Sequence, residues 1–211
     1  MDEPDEKRAS VFVDGQNLFQ HAKSAFGYRF PNYDVEALAL HVCASTRWKL
    51  NEIRFYTGIH DAAVDPFWHS FWANKTAQMG QTGIKVLTRP LRYRNKVVRL
   101  PDGTEHSFLA GEEKGIDVRI ALEVIAGARA RLYDVAVIFS QDQDFSEVAT
   151  ELRTIAREQD RWMKIASAFP DSPTALNRRG INQTDWIRIE RTVYDRCIDP
   201  RDYRKTSVKT A

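Results

Sequence analysis

A chain of 211 residues, 43% of them hydrophobic, can bury a substantial core, which excludes disorder for most of its length. Lys+Arg number 31 against Asp+Glu 29, a formal net charge of +2, so bulk charge gives no case for nucleic-acid binding and any basic surface must be local. The start, Met1-Asp2-Glu3-Pro4-Asp5-Glu6, is acidic where a signal peptide would be basic and then apolar, and no apolar run nears the ~20 residues that span a bilayer. Cys43 and Cys197 fit neither a disulfide framework nor a zinc spacing, and read as buried free thiols in a reducing cytoplasm.

Residues 1–8 read as a flexible acidic arm, residues 9–200 as a single domain and residues 201–211 as a flexible basic tail. Residues 10–13 form a short buried strand, followed by Asp14-Gly15 and a helix that begins near Asn17. A second helix is expected over residues 34–46, with Asp34 as its cap. Residues 52–56 are the second strand; Pro66 then opens a helix that runs to Met79 and stops at Gly80. Residues 84–87 are the third strand, and residues 89–99 are a hairpin or loop closed by Pro101-Asp102-Gly103. A helix over residues 117–131 carries Ile120, Ala121, Val124, Ile125 and Ala128 on one side. The most hydrophobic strand, 135–139, precedes a helix over 145–156, a strand over 163–169 and a short last strand at 186–189. Strands alternating with crossover helices imply an α/β fold with a parallel sheet covered on both faces. Ligands of such sheets bind beyond the carboxyl ends of the strands, where strand order reverses.

Acids collect at those ends. Asp14 directly follows a buried strand, with Asn17 at the next helix start. Asp142 and Asp144 both follow the strongest strand, although one helix cap needs only one aspartate. Asp117 opens the helix that leads into that strand, where capping and the helix dipole alone would explain it. If the first strand and strand 135–139 are neighbours, Asp14, Asp142 and Asp144 converge with Asp117 nearby. Two like charges ~4 Å apart repel by about 4 kcal/mol at an effective dielectric of 20, so protonation or a cation must relieve them. An all-oxygen set suits Mg²⁺ or Mn²⁺, whereas zinc would want His or Cys.

Asp14-Gly-Gln-Asn17, Lys114-Gly-Ile-Asp117 and Ser140-Gln-Asp142-Gln-Asp144-Phe145, in that order, resemble the NYN domain of the PIN-like nuclease superfamily, and more narrowly its LabA-like (DUF88) branch. The resemblance spans roughly residues 10–169. It implies a Rossmann-like (PIN-like) fold with central strand order 3-2-1-4-5 and helices on both faces. It also implies a divalent-metal site and ribonuclease activity. Carried over by position, the metal-site acids are Asp14, Asp117, Asp142 and Asp144, with Asn17 as a polar companion in catalysis. The family usually has Ser-Gly-Asp where this chain has Ser140-Gln141-Asp142, so Gln141 adds a side chain where backbone would approach a substrate.

The expected activity is metal-assisted hydrolysis of RNA by an endoribonuclease. Lys114 would neutralise the scissile phosphate. Arg89, Arg92, Arg94 and Lys96, with no acid among residues 85–99, would hold single-stranded RNA while Tyr93 stacks on a base. Phe67, Trp68, Phe71 and Trp72 lie at helical spacings and read as core or as a homodimer face, and His21 as a surface or packing residue. The alternative from another class is a non-catalytic RNA-binding or regulatory module that keeps the same fold. A dehalogenase-like phosphatase would want an acid where Gln16 stands, and a receiver domain would want a later lysine that is not evident.

Overall fold

β1 (Arg8–Asp14) is buried on both faces, and its side chains alternate between two apolar layers. Ala9, Val11 and Val13 join one core and Phe12 the other. The first layer is built on α1 (Gly15–Phe26), α2 (Val35–Thr46) and α3 (Pro66–Gln81), through Leu18, Leu38 and Trp72 among others. The second rests on α4 (Ile116–Arg129) and α5 (Ser146–Glu158), through Ile120, Val124, Leu152 and Ile155. The structure is a computed structural model that describes residues 2–204.

β1 sits centrally in a six-stranded parallel sheet. β2 (Lys49–Ile59) and β3 (Lys85–Pro90) extend it one way; β6 (Val135–Phe139), β7 (Lys164–Pro170) and β8 (Asp185–Ile189) extend it the other. The order is β3-β2-β1-β6-β7-β8, so the strand order reverses between β1 and β6. The expected order 3-2-1-4-5 differs in part, for two reasons. β4 (Arg92–Arg99) and β5 (Glu105–Glu112) pair antiparallel as a separate hairpin between β3 and α4, and β8 adds a sixth strand.

Several boundaries also move. α3 runs through Gly80 to Gln81, because the left-handed turn falls at Gly83 (φ 86°), after the Thr82 amide has bonded back to Gln78 and Met79. α6 (Arg191–Arg196) was not anticipated; its Tyr194 is fully buried in the first layer. Within the expected arm, Arg8 already lies in β1 and bonds Asp134 at 3.0 Å, while Glu6 pairs with Lys49. Within the expected tail, Tyr203 rests against Phe71 and Arg204 over Phe30; residues 205–211 lie outside the described residues. Cys43 and Cys197 are buried free thiols. Phe71 and Trp72 are core residues, which favours the packing reading of that helix over a dimer face. Among the described residues, no helix is long and apolar enough to cross a membrane.

Candidate active site

Asp14 ends β1 at the reversal point and is only 8% exposed. Its carboxylate accepts the Asn17 amide at 3.0 Å, capping α1. Gly15 is required beside it: a Cβ there would lie 2.5 Å from the Phe55 ring and 3.0 Å from the Tyr56 carbonyl. Gly15→Ala is therefore expected to destabilise the protein by about 1–3 kcal/mol through overpacking, read as a lower urea midpoint at unchanged slope. The Asn17 side-chain oxygen accepts the backbone amide of Gln141 at 3.0 Å, joining the start of α1 to the loop after β6.

That loop places the second acid. The Ser140 hydroxyl accepts the Asp142 amide at 3.1 Å, and the Asp142 carboxylate accepts the Asp144 amide at 3.0 Å, capping the 3₁₀ turn Gln143–Phe145. Asp142 is half-buried and Asp144 exposed. Asp117 lies half-buried in the first turn of α4. The carboxylates interact: burial pushes Asp14 up to about 6, and the charges of Asp142 and Asp117 add to the shift. His21, half-buried on α1, is pushed down by burial while the charge of Asp142 opposes that change.

A fifth acid was missed in the sequence. Glu113, between β5 and α4, is pushed up to about 7 by burial, with the charges of Asp14 and Asp117 adding. Its carboxylate accepts the Gly58 amide. Gly58 makes this approach feasible, since a Cβ there would lie 2.7 Å from Glu113 Cγ and 2.3 Å from Leu91. The available signal was the adjacent acids Glu112 and Glu113 directly before Lys114-Gly-Ile-Asp117; reading that motif from Lys114 onward hid them.

Residues 8–177 match the NYN domain family. The chain belongs to the NYN family. A Vibrio parahaemolyticus RIMD 2210633 protein of unknown function shares the fold, with a TM-score of 0.54 at 18% identity over 90% of this chain and 96% of that one. Acinetobacter baumannii MurG aligns at a TM-score of 0.33 and 8% identity over 86% of this chain and 45% of its own, too loosely to bear on function. No curated protein matches the chain. NYN domains are PIN-like nucleases, and the carboxylates of this one lie where such a fold binds ligands.

The basic residues of this NYN domain divide into two groups. Arg89 donates to the Lys114 carbonyl at 3.4 Å, and the Lys114 ammonium lies 3.9 Å from Glu112, so both flank the segment between Glu113 and Asp117. Arg92, Arg94 and Lys96 are exposed and, two residues apart on β4, share one face of the hairpin; Lys96 pairs with Glu112 at 2.8 Å. Tyr93 takes the other face. It is half-buried and its hydroxyl accepts the Asp61 amide at 2.9 Å, so it anchors the hairpin instead of presenting the open stacking surface expected.

Among the described residues, no three His, Cys, Asp or Glu side chains are grouped closely enough to enclose an ion by themselves. The donor chemistry still fits one class of cation. Asp14 and Glu113 are held towards the neutral form by burial and by neighbouring negative charge, and a positive charge would relieve both. Mg²⁺ and Mn²⁺ are commonly held through one or two carboxylates with water completing the shell, whereas structural zinc sites favour His and Cys ligands in a closed set.

Proposed function

We propose that this NYN domain is a divalent-metal-dependent ribonuclease that hydrolyses RNA phosphodiester bonds endonucleolytically. The supporting observation is electrostatic: burial raises Asp14 and Glu113, and the charges of Asp142 and Asp117 on Asp14, and of Asp14 and Asp117 on Glu113, add to it, where the strand order reverses. Asp14 and Asp142 would hold Mg²⁺ or Mn²⁺, and Asp117, Asp144 and Glu113 would complete the site directly or through water. The bound ion would supply Lewis acidity to the phosphoryl group. The protein's own part is placement. Asn17 ties the loop after β6 to the start of α1, which couples the placement of positions 14 and 142. Arg89 and Lys114 bring positive charge beside Asp117 for the scissile phosphate, and Arg92, Arg94 and Lys96 take the neighbouring backbone. Motif order supports the LabA-like branch, and the two unpaired buried thiols suit a reducing compartment such as the cytoplasm.

The test is incubation of labelled single-stranded RNA and DNA with the protein in Mg²⁺, Mn²⁺ or EDTA. RNA cleavage in either metal and none in EDTA is expected. Binding without cutting in both metals would instead favour the RNA-binding module, and cleavage indifferent to EDTA would reject the carboxylate mechanism. Neutralising Arg92 and Arg94 together should flatten the salt dependence of RNA affinity by about 1.4 in log–log slope, at ~0.7 per lost contact to a single strand. An unchanged slope would remove the hairpin from the binding surface.

A further inference from the structure

The connection from β7 to β8 is fastened to the loop that carries Asp142. The Gln141 side-chain amide donates to the Arg179 carbonyl at 2.7 Å and to the Asn177 carbonyl at 3.2 Å. The Gln143 amide donates to the Gly180 carbonyl at 3.1 Å, and its oxygen accepts the Asn182 amide at 3.1 Å. From the far side, fully buried Ile181 offers its carbonyl to the Trp186 indole at 2.8 Å, and Gly180 lies against the Phe169 and Trp186 rings. Residues 177–182 are thus pinned from both sides, with four of the bonds coming from the glutamines that flank Asp142.

Two arginines on this segment have different employment. Arg178 is committed to buried Asp171 through two bonds of 2.8 and 2.9 Å. Arg179 is exposed, and among the described residues it has no carboxylate partner; it gives one N–H to the neutral Asn182 oxygen at 3.1 Å, and the rest of the guanidinium fork stays available. Gln141 is itself 3% exposed, and its Oε1 is the one buried side-chain oxygen or nitrogen among the described residues that lacks a hydrogen-bond partner. Burying a long amide with an unsatisfied acceptor is unfavourable, and alanine would avoid that cost. What the amide supplies in return is the fixed distance between Arg179 and the carboxylate loop.

We propose that residues 177–182 form a rigid second wall of the nucleic-acid channel, in which Arg179 contacts a backbone phosphate and Gln141 is the positioning residue that holds it beside Asp142. This rests on the nuclease reading of the carboxylate centre and adds a binding element on the β7–β8 side of the sheet, opposite the β3 edge from which the chain continues into the β4–β5 hairpin. The ligand is the phosphodiester backbone of a single strand, recognised by charge and a planar donor fork.

The test uses the full chain and a short fluorescein-labelled single-stranded RNA, with affinity read by anisotropy in EDTA and kcat and KM read in Mn²⁺. Arg179→Ala should weaken binding about tenfold, lower the salt slope by about 0.7 and raise KM with kcat little changed, while Arg179→Lys recovers part of the affinity. Gln141→Ala should raise KM in the same way. If Gln141→Ala lowers the melting temperature but leaves affinity and KM unchanged, its role is structural only and the positioning claim falls. If Arg179→Ala, a surface change, binds and cuts as wild type does, the wall is not a binding element although the nuclease reading stands. Wild-type protein that neither binds nor cuts RNA overturns both.

Discussion

Asp14→Asn and Asp142→Asn proteins should each lose RNA cleavage by at least about 10²–10³-fold, the scale seen when one electrostatic group is removed from an active site. The substitution separates charge from structure. An asparagine oxygen at position 14 can still accept the Asn17 amide, and one at position 142 can still accept the Asp144 amide, so both caps survive. At position 14 the variant also removes a buried charge that its neighbours repel. Its melting temperature in EDTA should therefore hold or rise while activity collapses. A variant that unfolds would show that the cap carries more than its charge. Undiminished cleavage in both variants would reject the site.

The second large effect is on stability and concerns Glu113. Its folded pKa, about 7, lies above the ordinary carboxylate value of 4.5, and Asp14 at about 6 lies above 3.8. The fold therefore binds these protons more tightly than the unfolded chain does. Their stabilising contribution is complete below about pH 4 and is lost as pH rises through 6 and 7. A shift of this size corresponds to roughly 3 kcal/mol for Glu113. Acids with lowered values, such as Asp134 and Asp171 beside arginines, change stability in the opposite sense near pH 3–4, so the whole-protein curve mixes the two. The difference between wild type and Glu113→Gln isolates the acid. In EDTA the variant should match wild type near pH 4 and become more stable by roughly 3 kcal/mol at pH 8, because glutamine can still accept the Gly58 amide without the charge. Saturating Mg²⁺ should shrink that gap by stabilising the wild type. A pH-independent difference would mean that Glu113 does not share the charge of the site.

The parallel sheet was legible because its strands are buried runs: every residue of Val135–Phe139 is inaccessible or nearly so, and β1 is buried from Ala9 onward. The hairpin was harder to read. Most residues of β4 and β5 are exposed, so no alternation of apolar and polar residues marks them, and only the Pro101-Asp102-Gly103 turn pointed to the pairing. Asp14, Asp117 and Asp142 could be found as acids at strand and helix ends, where local rules already make a carboxylate conspicuous. Glu113 could not, because its place depends on Gly58, 55 residues away, leaving room for it. Gln141 was visible as a departure from the family pattern, but its purpose depends on carbonyls 36 and 38 residues further on.

Calorimetric titration of Mn²⁺ into the wild-type protein and into the Asp14→Asn/Asp142→Asn double variant at neutral pH tests the metal site most directly. One saturable site in the wild type, absent from a double variant that still melts cooperatively, is the predicted result. Equal uptake by the two proteins, or no uptake by wild type that nonetheless cuts RNA, would contradict it.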